Sequence, residues 1–338
     1  MNRFLVCLLA LAAGECWTVQ TSGIDSNLRG VSVVKSRLAG ENTTIWASGS
    51  RGVILRSKDS GKNWEQLRIS GGETLDFRGV QAFDVNVAYV MSSGEGDKSR
   101  IYKTVDGGKN WEMQYTDKRK EFFLDGIACI STTNCFALSD PVDGKFLLLH
   151  TEDGETWKEM PGNTVPAAME KEGVFAASNS SLLIYGGREI YFGTGGPAAR
   201  VFHSADMGKS WTVVETPILS GKAPEGIFSL ARSGDTVVAV GGDYEKAEQT
   251  ERVAAYSLDQ GKTWTLAAKQ PGGYRSGVAK SDTGFVAVGP NGTDVSVDGI
   301  NWTAAGKTSL NAAVFVEDEG WSVGAKGTVG KFMDKTHK

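Results

Sequence analysis

The 338-residue sequence is poor in histidine, proline and cysteine, with three, eight and four copies. Three histidines do not assemble a Ser/His/Asp triad. His150 and His203 share one repeat position, which other copies fill with Arg56, Lys103, Tyr256 and Val295, and His337 lies near the chain end. Neither a Cys-x-x-Cys pair nor a His-Glu-x-x-His run is present, so no zinc site and no metal is expected. Long apolar runs are also missing. The longest, residues 4–13, falls short of the roughly 20 residues that span a bilayer, so no transmembrane segment is expected. No helical periodicity is sustained. Lysine and arginine are scattered and the formal net charge is -4, which excludes a nucleic-acid surface. The one glycine-rich phrase, GTGGPA from Gly193, falls between two strand-like runs with no helix after it, which excludes a dinucleotide cradle and leaves no cofactor motif.

What is abundant is glycine, at 43 residues. Seven of these glycines sit in one recurring phrase, read as SKDSGKNW, TVDGGKNW, TEDGETW, SADMGKSW, SLDQGKTW and SVDGINW. The six copies end at Trp64, Trp111, Trp157, Trp211, Trp264 and Trp302, and their carboxylates are Asp59, Asp106, Asp153, Asp206, Asp259 and Asp298. In such a phrase the Asp accepts backbone N–H bonds within its own turn and Gly supplies positive φ. The Trp then opens the next strand and buries its ring against a neighbouring unit with its N–H satisfied. This is the Asp-box pattern, and a period of this length marks a propeller or solenoid.

Around each box, β-branched and alternating runs give four short strands, in units beginning near Leu28, Phe77, Leu124, Glu172, Glu225, Tyr274 and Leu310. The last unit stops after three strands. The phrase CWTVQTS at the other end supplies the fourth, with Trp17 in the place of a box tryptophan. The expectation is an all-β, seven-bladed β-propeller of four-stranded blades, closed by the N-terminal strand pairing with the C-terminal blade. A six-bladed ring with an appended hairpin is the alternative. The domain is expected over 15–333, after a signal peptide at 1–14 and before a tail at 334–338. Arg3, the apolar run and Ala12, Ala13 and Gly14 carry the signal reading, which makes the protein secreted or periplasmic. Cys129 and Cys135 flank a short turn, as a cross-strand disulfide or as two buried thiols.

In a propeller the first strand of each blade lines the channel. The boxes then lie at the far end, and a site is expected where the inner strands begin. Those starts read Arg29, Arg78, Asp125, Glu172, Glu225, Arg275 and Asn311, a mouth with cations on one side and acids on the other. Nearby loops add Asp140, Asp143, Arg200, Asp243, Tyr244 and Tyr274. These charges either neutralise one another or hold a carboxylate-bearing or zwitterionic ligand, since Arg pairs with carboxylates bidentately. A catalytic alternative is a sialidase-type glycoside hydrolase, which would need three converging arginines beside a Tyr–Glu pair.

The phrases WTVQTSGIDSNLRGVSVV, TLDFRGVQAFD, SRIYKTVDGGKNW, SDPVDG and PGGYRSGVA together resemble the Ycf48/HCF136-like Asp-box propellers. The resemblance runs from Trp17 almost to the end. It implies a seven-bladed fold and a non-enzymatic assembly factor. The photosynthetic members bind newly made photosystem II subunits through an arginine patch. What carries over is a protein or peptide partner.

Overall fold

The computed structural model describes residues 15–35, 42–161 and 164–333. The expected signal peptide and tail lie outside them. The described residues form seven antiparallel sheets, and only two single-turn 3-10 segments, Gly96–Lys98 and Ala325–Gly327, are helical. Each sheet is a blade. The inner strands, in ring order, are Leu28–Val34, Asp76–Ala82, Leu124–Cys129, Leu182–Tyr185, Lys222–Ser233, Gly277–Ser281 and Ala312–Val316, here blades 1 to 7, and in blade 5 the two-residue strand Gly195–Gly196 adds a fifth strand on the inner edge. Each inner strand packs against the next, and that of blade 7 packs against that of blade 1.

The ring is closed as the repeat count requires. Trp17–Thr21 is the outer strand of blade 7 and pairs with Thr328–Phe332, with Trp17 opposite Phe332. The Trp17 ring sits among Val286, Val288 and Val295 of blade 6, and its Nε1 donates to Thr293 Oγ1 at 3.0 Å. Trp17 thus does what a box tryptophan does. Trp64, Trp111, Trp157, Trp211, Trp264 and Trp302 each join the apolar cluster of the preceding blade. Trp111, for example, meets Trp46 edge-on at 6.3 Å. The structure corrects one expectation about these rings. Trp157, Trp211 and Trp264 donate their N–H to Gln114 Oε1, Gly208 O and Gly261 O. Those of Trp64, Trp111 and Trp302 have no hydrogen-bond partner among the described residues, because the neighbouring surface they cover is apolar.

The boxes close as their chemistry dictates. In blade 2, Asp106 Oδ1 accepts from Asn110 N at 2.9 Å and from Thr104 Oγ1 at 3.0 Å, while Gly108 N donates to Thr104 Oγ1 at 2.8 Å. Asp59, Asp153, Asp206, Asp259 and Asp298 repeat the scheme. Backbone and side-chain donors from Asn63 and Asn110 hold Asp59 and Asp106 down to about 2. Beside the first box, Ser60 N donates to Thr43 O, at the point where the second strand of blade 1 begins. Strand alternation therefore puts the boxes at the end of the channel opposite Leu28. Cys129 and Cys135 face each other across the first hairpin of blade 3 and are joined as a disulfide, with Cα atoms 4.0 Å apart.

Blade 4 departs from the expected count. Its inner strand begins at Leu182, not near Glu172, because the chain first makes an excursion into the channel. Residues 174–180 lie across it. Ala176 O accepts from Arg78 Nη1 of blade 2, and the Asn179 side chain bonds both the N–H and C=O of Ile127 in blade 3. Ser180 Oγ meets Ser229 Oγ of blade 5, and Ser178 Oγ donates to Ser276 O of blade 6. Asn179 takes φ 63°, a left-handed value that Asn tolerates better than most residues. Gly79 is needed beside it, since a Cβ there would stand 2.7 Å from Asn179 Oδ1. The channel is stoppered beneath its mouth.

Candidate functional site

Above this stopper is a cup of about 540 Å³. Four inner strands aim side chains into it through one device. In blades 1, 2, 3 and 5 the ladder to the second strand slips by one residue, between Leu28 and Gly30, Phe77 and Gly79, Leu124 and Gly126, and Ile227 and Ser229. The extra residues are Arg29, Arg78, Asp125 and Phe228. A β-bulge frees one residue from the ladder and re-aims it, and all four of these line the cup. Ser276 and Asn311, one residue before the inner strands of blades 6 and 7, complete the circle.

This register separates the expected site residues. Arg29, Arg78, Asp125, Asp140 and Tyr244 line the cup. Glu172 does not begin an inner strand, Glu225 and Arg275 do stand at the heads of the inner strands of blades 5 and 6, and none of the three lines the cup. Glu172 is buried and forms a two-pronged pair with Arg200, Nε to Oε1 at 2.8 Å and Nη2 to Oε2 at 2.5 Å. It also accepts from Thr194 Oγ1 and Met169 N. This pair anchors the excursion of blade 4 and takes Arg200 out of the site with it. Glu225 lies opposite Asp243 in blade 5; Lys222 and Lys246 neutralise them at 3.6 and 3.4 Å. Arg275 is buried in blade 6 against Asp294 and donates to Tyr274 O and Asn291 Oδ1. Asp143, with Gly144, turns a hairpin between Val142 and Lys145 at φ 52° and 76°.

Beside the cup, Asp76 Oδ2 accepts from Arg78 Nε at 2.7 Å and faces Arg29 Nε at 3.8 Å, so one carboxylate serves two guanidinium groups. Arg29 Nε has no hydrogen-bond partner among the described residues. Burial and then the Arg78 charge pull Arg29 below the usual guanidinium range. Asp125 is 1% exposed and neither of its carboxyl oxygens has a hydrogen-bond partner among the described residues. Burial, then the neighbouring Asp140, raise it well above the usual carboxylate range, and Arg78 and the Asp140 N–H dipole offset only part of this. Asp140 accepts from Val174 N at 2.8 Å, yet burial pushes it up to about 6.

The far wall is aromatic. Phe175 and Phe228 stack at 3.8 Å, Tyr274 meets Phe228 edge-on at 4.8 Å, and Tyr244, half exposed, meets both phenylalanines at 6.3 and 6.1 Å. Phe123 closes the near side, 5.9 Å from the Arg78 guanidinium. Sequence reasoning missed Phe123, Phe175 and Phe228. For Phe228 a signal existed: Ile227-Phe228-Ser229 repeats the apolar–x–small phrase of Leu28-Arg29-Gly30 and Phe77-Arg78-Gly79. The more conspicuous Glu225-Gly226 three residues earlier concealed it. Among the described residues no His, Cys, Asp and Glu cluster could hold a metal ion, and no helix is long and apolar enough to cross a membrane.

With this geometry in hand, comparison with known proteins gives a consistent fold. A family model described as Photosynthesis system II assembly factor YCF48 matches residues 8–122, and one described as BNR/Asp-box repeat matches residues 255–266. Over residues 8–122 the chain is similar to YCF48. Among solved structures, one titled YCF48 bound to D1 peptide superposes with a TM-score of 0.67 at 13% identity, over 94% of this chain and 97% of that one. YCF48 from Cyanidioschyzon merolae gives 0.64 at 17% identity, over 95% and 100%. Virginiamycin B lyase from Staphylococcus aureus gives 0.66 at 11% identity, over 93% and 98%. At these identities the superpositions speak for the fold, which enzymes and non-enzymes share. Among curated proteins no sequence matches the chain.

Proposed function

We propose that this Ycf48-like propeller is a non-catalytic scaffold that binds an exposed segment of a protein or peptide partner at the cup, in the manner of an assembly factor. The observation that carries the reading is the cup itself. Two arginines share one carboxylate beside a wall of aromatic rings, and buried polar atoms there lack partners. The YCF48 structure titled as bound to a D1 peptide is a propeller of the same kind engaging a peptide, which supports a peptide partner. The sialidase-type alternative has less in its favour. Two arginines reach the cup rather than three, because Arg275 is spent on Asp294. A Tyr–Glu pair exists at Tyr191 and Glu189, 2.9 Å apart, but it lies at the box end of blade 4 and Tyr191 is fully buried. An oxidising, extracytoplasmic compartment is part of the proposal, and the Cys129–Cys135 disulfide supports it.

The test is a photo-crosslinking residue at Tyr244, compared with one at Lys209 on the box rim, in cells that make the protein. A single partner captured from Tyr244, absent from Lys209 and lost in an Arg29→Ala/Arg78→Ala variant, is the expected result. Equal capture from both positions, or capture untouched by the arginine changes, rejects it.

A further inference from the structure

Resting on the cup as the binding site, we propose that it selects a monocarboxylic acid carried close to a flat apolar ring, with the carboxylate between Arg29, Arg78 and Asp125 and the ring against Phe175, Phe228 and Tyr244.

Four observations converge on this. The first is the set of unsatisfied atoms: Arg29 Nε and both oxygens of Asp125 have no hydrogen-bond partner among the described residues, and both residues line the cup. A buried polar group without a partner costs about 1–3 kcal/mol, so a ligand that completes these bonds gains affinity out of proportion to its size. The second is charge. Arg29 and Arg78 are answered by Asp76, and burial favours the neutral form of Asp125 and, below about pH 6, of Asp140, so at acid pH the cup is left one unit positive and suited to a monoanion. A cation would meet two guanidinium groups. The third is the state of Asp125. Its burial beside Asp140 favours the neutral carboxylic acid, which can donate an O–H to a bound carboxylate. The two arginines and one neutral acid then surround a single anion. The fourth is shape. Stacked Phe175 and Phe228, with Tyr274 edge-on behind them and Tyr244 at the rim, form a flat apolar shelf. A cup of about 540 Å³ holds one ring and its acid, and sites of roughly 300–1,000 Å³ are usual for such ligands.

Binding is then coupled to protons. The charged and titratable groups facing Asp125 are Asp140 of its own blade, Arg78 of blade 2 and, across the cup, Arg29 of blade 1. The wall from blade 4, residues 174–177, brings no charge, and Tyr274 is held neutral by burial. As pH rises through about 6, Asp140 ionises and the cup loses its positive excess. Affinity for the acid falls.

The same chemistry reaches the cup from two sources, a peptide ending in an aromatic residue or a free aromatic acid. Calorimetric titration with N-acetyl-phenylalanine at pH 5.5 and pH 8 tests the shared chemistry, with N-acetyl-phenylalaninamide and N-acetyl-alanine as controls lacking the acid or the ring. The acid is expected to bind at pH 5.5, to weaken at least tenfold at pH 8, and to exceed either control at least tenfold. Asp125→Leu should cost tenfold or more. Asp125→Asn, which keeps a donor of the same shape, should stay within threefold of the parent at pH 5.5, and Asp140→Asn should flatten the pH dependence. Phenylpropionate and a Gly/Ser decapeptide ending in free Phe separate the sources. Tighter binding of either one supports the proposal and names its source. An amide that matches the acid, or affinity that does not fall with pH, overturns it. If no probe binds while crosslinking from Tyr244 still depends on Arg29 and Arg78, the partner-binding cup stands and this ligand class falls.

Discussion

The two ends of this propeller are built on opposite principles. At the box end, every described Asp-box carboxylate accepts from the backbone and side chains of its own turn, and the hydrogen bonds drive its titration down. At the mouth, Asp125 is buried without a partner, Arg29 is half satisfied, and burial drives the acids up. The box end repeats the same solution and has nothing left to bind. The mouth uses the same bulge in four blades but places two arginines, an aspartate and a phenylalanine on it, so the ring's symmetry ends there. A fold of repeated blades can thus separate the residues that hold its turns together from those left without partners at the other end.

The largest effects should appear at the box end. Trp302 is fully buried against blade 5, and Trp302→Ala should cost about 3–5 kcal/mol in urea unfolding. Tyr244, half exposed at the mouth, should change stability by less than about 0.5 kcal/mol on Tyr244→Ala while weakening partner capture. Comparable losses from both would erase the contrast. Trp17→Ala should match a box tryptophan at about 3–5 kcal/mol, since its ring fills the same place on blade 6. A loss under about 1 kcal/mol would mean that the closing strand is dispensable.

A smaller effect has the opposite sign. Asp140 titrates higher in the folded chain than in the unfolded one, so its ionisation opposes folding as pH rises from about 4 past about 6. Asp140→Asn keeps the acceptor for Val174 N and should raise stability by about 1 kcal/mol at pH 8, with no gain at pH 4. A variant no more stable at pH 8 would show that the mouth holds its acids without strain. The smallest effect returns to the boxes. Asp106 titrates lower when folded, so its contribution is complete above about pH 4 and is lost as pH falls through about 2. The difference in melting temperature between Asp106→Ala and the parent should be constant from pH 5 to 7 and shrink toward pH 2. A difference that persists undiminished at pH 2 would place the box's value elsewhere than in its carboxylate.

The seven blades, the closing role of Trp17 and the box end's distance from the mouth were legible because each rests on short-range chemistry. An Asp, a Gly and a Trp at fixed spacing make the same turn wherever they occur, and their repetition announces the ring. Arg29, Arg78 and Asp125 were legible too, since each stands between an apolar residue and a glycine at the head of a strand. Glu172 and Glu225 misled because an acid followed by glycine looked like the same phrase. The spacing of 54 from Trp157 to Trp211 did not reveal that its extra residues enter the channel.

By itself, then, the sequence determined the number of blades, the closure and the end at which the bulged inner-strand residues gather, because turn chemistry and strand alternation are local and add up around a ring. Only the tertiary structure decided which charges are free. Arg275 and Arg200 are cancelled by Asp294 and Glu172, and Asp125 is left alone beside Arg78. Whether an ion is paired depends on which side chains distant segments bring within about 4 Å of it, and whether an acid keeps its proton depends on the water excluded around it. No spacing along the chain records either.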